Sequence, residues 1–151
     1  MKTVRSFIEK SGAPKPRTVR PEESISLALR RMKRYNIGAL PVVGKGNKLL
    51  GIFSERDYSR ACCSKQIQSL DLGRPVSSIM TPVKQVTYVF MDTTIDECCA
   101  RMDAKKVRHL PVVDRDLSVV GVISMRDLLH AIVSGHQIIL DNIATSMGCP
   151  T

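Results

Sequence analysis

Two stretches of the chain repeat one pattern of apolar and polar positions. Ile25, Ala28, Leu29 and Met32 recur at three- and four-residue spacing behind Ser24, which predicts an amphipathic helix with a serine N-cap. Ile95, Cys98, Cys99 and Met102 do the same behind Thr94. A short apolar, β-branched run follows each helix, Leu40 to Val43 and Leu110 to Val113, and then another, Leu49 to Phe53 and Val119 to Ile123. Between the first pair, Gly44-Lys45-Gly46-Asn47 supplies residues that tolerate the positive φ of a hairpin. A second helix is expected from Ser54 through Tyr58 to Cys63, and from Ser124 through Leu128 to Val133. A short strand is expected ahead of each first helix, near Thr18-Val19 and Thr87-Tyr88-Val89. Each unit thus reads β-α-β-β-α, and the fold class is α/β (α+β).

The repetition is one of sequence as well as pattern. Residues 25–57 lie over residues 95–127 without a gap, and 11 of the 33 positions are identical. The identities concentrate in two blocks, L-P-V-V and G-x-x-S-x-R-D. A unit of this size, about 50 residues, is too small to bury a secure core alone. Two units packed with pseudo-two-fold symmetry share one, and a ligand site is then expected in the cleft between them. The expected boundaries are a basic N-terminal segment or helix over 1–16, unit one over 17–64, a linker over 65–84, unit two over 85–135, and a C-terminal helix or tail over 136–151.

Composition narrows the setting. The five cysteines are odd in number, four of them stand in adjacent pairs, and no C-x-x-C spacing occurs. This reads as a reducing, intracellular compartment, cytoplasmic or mitochondrial/plastid. Cys62, Cys63, Cys98 and Cys99 align with Ile132, Val133, Ala28 and Leu29 of the other unit, so they are expected as small core hydrophobes. No apolar run approaches the roughly 20 residues of a membrane helix, and the N-terminus lacks the apolar stretch of a secretory signal. The net charge is +9, of which +7 falls within residues 1–34. Three readings of that block stay open: a solvated basic helix face, an organelle-import character, and a surface for nucleic acid or another polyanion.

The block Ser54-Glu55-Arg56-Asp57, with its twin Ser124-Met125-Arg126-Asp127, carries the candidate chemistry. It joins a strand end to a helix N-terminus, whose unpaired N–H groups suit a phosphate. The serine can cap the helix or meet a phosphate oxygen. The arginine offers a planar fork to an anion, and the aspartate an acceptor pair matched to vicinal ribose hydroxyls. A single such block could equally be a capping box; two copies of the same three residues favour ligand binding. The units differ ahead of L-P-V-V, where Gly38-Ala39 faces Arg108-His109 in the alignment. Extra cation and donor capacity therefore belongs to unit two alone. His109, His130 and His136 show no metal-ligand spacing, so no metal is proposed.

With both h-P-V-V and G-h-h-S-x-R-D blocks, and the joint Val76-Ser77-Ser78-Ile79-Met80-Thr81 between them, the chain resembles a tandem CBS-domain pair (a Bateman module). It looks most like the stand-alone single-pair proteins of bacteria and plant organelles. The resemblance covers roughly residues 17–135. It implies an adenosyl ligand in the cleft: AMP, ADP, ATP, NAD or S-adenosylmethionine. By carry-over, Asp57 and Asp127 would hold ribose hydroxyls. Ser54, Ser124, Arg56, Arg126, Arg108 and His109 would face phosphate. Residues around Ile37, Leu40, Val107 and Leu110 would hold the base, with Thr18 and Thr87 near the strand starts. It implies homodimers stacked as a flat disc. Two departures stand out: Phe90-Met91 replaces Arg20-Pro21, and Gly38-Ala39 removes phosphate donors from the first site.

Nothing in the sequence assembles a nucleophile, a base and an orienting group, and no catalytic domain is appended, so the expectation is a regulatory, non-enzymatic module acting on an unknown protein with no required cofactor. Two alternatives stay open. One is nucleic-acid or polyanion binding through the basic N-terminal segment, though six aromatics and no Trp supply a stacking platform poorly. The other is a ligand-free subunit working through protein contact. No membrane role is expected.

Overall fold

A computed structural model describes residues 2–12, 15–64 and 71–133. Its elements are α1 (Val4–Ser11), α2 (Ile25–Tyr35), β1 (Ala39–Val43), β2 (Leu49–Ser54), α3 (Glu55–Cys62), β3 (Thr81–Pro82), β4 (Val89–Phe90), α4 (Ile95–Lys105), β5 (His109–Val113) and β6 (Val119–Ser124). A last helix, α5, runs over the described residues 125–133. The Cys149 thiol and the expected tail over 136–151 lie outside the described residues.

The repeated pattern produces repeated structure. Ser24 caps α2 through the Leu27 N–H at 3.2 Å, and Thr94 caps α4 with Glu97 in a reciprocal capping box. Both helices end on a left-handed residue, Asn36 or Lys106, which turns the chain into the next strand. The hairpin β1–β2 pairs Leu40 with Phe53 and Val42 with Gly51; β5–β6 repeats that register at Leu110–Ile123 and Val112–Gly121. Gly46 and Asn47 take the positive φ expected of the turn. The strand expected at Thr18-Val19 is a single parallel bridge from Val19 to Val42, whereas its twin forms β4.

Each unit has its own buried cluster. Unit one packs Val19, Ile25, Ala28, Met32, Leu40, Val42 and Phe53 together, and unit two packs Val89, Ile95, Cys98, Met102, Leu110, Val112, Ile123 and Leu128. A third cluster, Val43, Leu49, Val113 and Val119, joins them. One backbone and one side-chain hydrogen bond reinforce that joint: Leu49 N–H donates to the Leu117 carbonyl at 2.9 Å, and Asn47 Nδ2 to that of Val119 at 2.6 Å.

The flanking segments are exchanged. Residues ahead of unit one complete unit two, and residues ahead of unit two complete unit one. Ile95 N–H bonds to the Lys2 carbonyl, Val4 N–H to that of Thr93 and Arg5 N–H to that of Met91. In unit one, Ile25 N–H bonds to the Arg74 carbonyl, Val76 N–H to that of Glu23 and Ser77 N–H to that of Pro21. Val4 and Val76 are each fully buried as equivalent plugs. The basic N-terminal stretch therefore docks its apolar face, with Phe7 and Ile8 on unit two, and turns Arg5, Glu9 and Lys10 to solvent. The stretch expected as a linker is, over residues 74–80, part of the unit-one fold.

The expectation of a buried place for Cys62 and Cys63 is corrected by the structure. Cys62 and Cys63 are exposed, as are their equivalents Ile132 and Val133. Neither pair belongs to a buried cluster among the described residues, so an apolar residue at this repeated helix position is not a buried one. Cys98 is buried as expected and Cys99 is half-buried.

The exchanged segments press on the two repeated glycines. A Cβ at Gly51 would lie 2.5 Å from the Thr81 carbonyl oxygen and 3.0 Å from Met80 Sδ; at Gly121 it would meet Ile8 Cδ1 at 3.0 Å. Backbone cannot yield as a side-chain end can. Gly51→Ala is expected to cost about 1–3 kcal/mol and Gly121→Ala distinctly less, as read from urea unfolding midpoints of the two variants.

Candidate functional site

The two G-x-x-S-x-R-D blocks converge on one cleft of about 1230 Å³. The convergence follows from the fold: β2 and β6 each deliver a serine to a helix start, and pseudo-symmetry turns both starts inward. At each start a capping box forms. Ser54 N–H and Oγ donate to Asp57 Oδ2 at 2.8 and 2.6 Å; Ser124 does the same to Asp127 Oδ2 at 2.7 and 2.5 Å. The capping box is thus realised twice, and it leaves one carboxylate oxygen of each aspartate to be accounted for. Asp57 Oδ1 accepts from Thr81 Oγ1 at 2.9 Å. Asp127 Oδ1 has no such partner among the described residues.

Of the residues expected at the site, Ile37, Ser54, Arg56, Asp57, Thr87, Val107, Arg108, His109, Ser124, Arg126 and Asp127 line the cleft. Thr18, Leu40 and Leu110 do not. Leu40 and Leu110 are fully buried in their own cores, and the Thr18 carbonyl accepts from Arg31 Nη1 at 2.5 Å. Sequence reasoning missed Lys15, Arg17, Lys33, Arg60, Glu55 and Thr81, which also line it. A signal existed for Arg60, one helical turn beyond Arg56 on the same face. None existed for Lys15, Arg17 or Lys33, which only the packing brings to the cleft. The lining carries Lys15, Arg17, Lys33, Arg56, Arg60, Arg108 and Arg126 against Glu55, Asp57 and Asp127, so its field favours an anion.

The units touch across this cleft. Arg56 Nη1 donates to the Lys106 carbonyl of unit two at 2.7 Å, while Arg126 makes no matching bond to Asn36. His109 lies over Gly38, its Cε1 3.2 Å from where a Cβ would stand, so the small residue of unit one admits the large one of unit two. Burial holds the His109 imidazole below its ordinary value of 6.5, with Arg108 acting in the same direction and Asp127 and Glu55 opposing.

The CBS domain model matches residues 12–63 and 76–134. The chain belongs to the CBS-domain family. Among its CBS relatives, YhcV of Bacillus subtilis is 31% identical over 111 residues, 74% of either chain. An uncharacterised 17.7 kDa protein of Acidianus ambivalens is 34% identical over 118 residues, 78% of this chain and 68% of that one. A CBS-domain protein of Agrobacterium tumefaciens superposes with a TM-score of 0.75 at 31% identity, covering 86% of this chain and 98% of that. The chain also matches, at 35% identity, 21% of the inosine-5'-monophosphate dehydrogenase of Methanocaldococcus jannaschii. The fold extends to more distant CBS structures. One is a pair in complex with 5-methylthioadenosine and S-adenosyl-L-methionine (24% identity, TM-score 0.76, 89% and 98% covered). Another is a Pyrobaculum aerophilum protein complexed with AMP (21%, 0.70, 83% and 88%). No helix among the described residues is long and apolar enough to cross a membrane.

A histidine held below its unfolded value contributes stability above that value, which is lost as pH falls through the folded one. His109→Gln is therefore expected to lose less unfolding free energy than wild type between about pH 7 and about pH 5, measured by urea unfolding at each pH. An NMR titration of wild type with the His109 midpoint at or above 6.5 would contradict this.

Proposed function

We propose that this chain is a regulatory, non-catalytic module that binds a phosphorylated adenosyl ligand in its cleft and passes the binding to another protein. The observation that carries the reading is the convergence of two Ser-Arg-Asp helix starts and an excess of cations on one cavity. Vicinal ribose hydroxyls match a carboxylate held by a capping serine, and phosphate matches the arginines around it. Distant CBS structures holding AMP, 5-methylthioadenosine or S-adenosyl-L-methionine support the ligand class. In this reading Asp127 takes the ribose, Arg108 and Arg126 the phosphate, and His109, neutral at pH 7, donates or accepts one hydrogen bond. Ligand moves a partner only through its different affinity for two arrangements of the units. Calorimetric titration with AMP, ATP and S-adenosylmethionine tests the binding. At least one is expected to bind, and Asp127→Ala to weaken it about ten- to a hundred-fold, the value of a charged hydrogen bond. Failure of all three, or binding indifferent to the substitution, overturns the reading.

We further propose a homodimer through the exposed apolar positions of α5 over residues 129–133 and of the end of α3. Leu129, Ile132 and Val133 are 56%, 38% and 65% exposed, and the symmetry-equivalent Cys62 and Cys63 at the end of α3 are exposed as well. Such a face in water calls for a partner surface. Sedimentation is expected to show a dimer that Ile132→Glu with Val133→Glu converts to monomer; an unchanged dimer would place the interface elsewhere.

A further inference from the structure

The two halves of the cleft share a motif but not a state, and the cause can be followed from sequence. The exchanged segments enter their units identically, Val4 for one and Val76 for the other, and then diverge. After Val4 the chain continues as the eight-residue helix α1, which Glu9 and Lys10 permit. After Val76 only a single turn forms, over Val76–Ser78, and at Thr81-Pro82 the chain is extended. Proline disfavours helix at the residue before it and cannot continue one itself. The extended pair becomes β3, an edge strand in which Thr81 pairs with Ile52 and Pro82 with Gly51. The missing side chain at Gly51 is what lets the Thr81 carbonyl come so close.

This strand fixes the Thr81 hydroxyl 2.9 Å from Asp57 Oδ1. It donates there as a ribose hydroxyl would. Asp57 Oδ2 is already taken by Ser54, and the neighbouring Arg56 is held on the Lys106 carbonyl. In unit two the position equivalent to Thr81 is Glu9, which faces solvent on α1. Among the described residues, Asp127 Oδ1 and the guanidinium groups of Arg108 and Arg126 have no hydrogen-bond or ion-pair partner, although the Arg108 carbonyl accepts from Met125 N–H at 2.9 Å. One half-site is internally satisfied and the other is open.

Resting on the adenosyl-ligand reading above, we propose that Thr81 is the residue that determines occupancy: it stands in for the ribose at Asp57, so the chain takes one nucleotide, at the Asp127 half-site. A ligand at the first half-site must displace a hydroxyl held by strand pairing, whereas at the second no side chain among the described residues donates to Asp127 Oδ1.

The test is AMP titration by calorimetry of wild type, Asp57→Ala, Asp127→Ala, Thr81→Val and Thr81→Ser. Wild type should bind one AMP per chain, unaffected by Asp57→Ala and abolished or strongly weakened by Asp127→Ala. Thr81→Val keeps the shape and the extended backbone preference but removes the donor. It should add a second site, or tighten a weak one by about ten-fold or more, while Thr81→Ser behaves as wild type. Unfolding midpoints of the Thr81 variants close to that of wild type establish that they fold. Two equal sites in wild type, equal losses from Asp57→Ala and Asp127→Ala, or a folded Thr81→Val with unchanged stoichiometry and affinity would each overturn the proposal while leaving the ligand reading intact. No AMP binding by any of the five proteins overturns the proposal for this nucleotide; failure of ATP and S-adenosylmethionine as well removes the ligand reading beneath it.

Discussion

A CBS unit of about 50 residues has too little interior to close its own core, and here each is closed by the segment that precedes its twin. Val4 fills unit two and Val76 fills unit one, each held by three equivalent backbone hydrogen bonds between the entering segment and the residues leading into the first helix. This reciprocal closure ties residue 2 to residue 95 and residue 74 to residue 25, so neither unit is complete without chain that lies outside its own β-α-β-β-α segment. The shared cluster of Val43, Leu49, Val113 and Val119 then sets the two units against each other, and the cleft is what remains between them.

The same closure makes the units unequal. Helix α1 presses a flexible Ile8 side chain onto Gly121, whereas the segment at Thr81 presses backbone onto Gly51 and adds a strand to the sheet. At the repeated glycine one exchanged segment therefore brings an apolar side chain, and the other places the Thr81 hydroxyl within bonding distance of Asp57. Inequality on the opposite wall runs the other way. Gly38 offers no side chain, and His109 of unit two occupies the space. The duplicated motif has become two chemically different places on a fold that is still nearly symmetric.

Much of the lining of the candidate cleft was legible because a motif repeated in sequence is repeated in geometry. Ser54, Arg56, Asp57 and their twins lie where a strand end feeding a capped helix must put them. Arg108 and His109 are unit-two features in the structure as in the alignment. Leu40 and Leu110 illustrate the limit: a strand residue beside a site can point either way, and the period-two alternation is masked where a strand is buried throughout, as β1 is. Cys62 and Cys63 illustrate another. Alignment with Ile132 and Val133 correctly marks an apolar position, but apolar positions at a helix end are covered only if something packs beyond it.

The sequence by itself determined the two helix-hairpin-helix units, their caps, the positive-φ turn and the pairing of each serine with its aspartate. All of these are contacts between residues within a few positions of each other or across a tight hairpin, so spacing alone encodes them. Tertiary structure decided which unit each flanking segment completes, that Lys15, Arg17 and Lys33 reach the cleft, and that Thr81 bonds to Asp57 while Arg56 bonds to Lys106. Those contacts join residues from 24 to 50 positions apart and beyond. No periodicity records such distances; they follow from how two twisted hairpins pack and from a proline that makes one returning segment a strand where its counterpart is a helix.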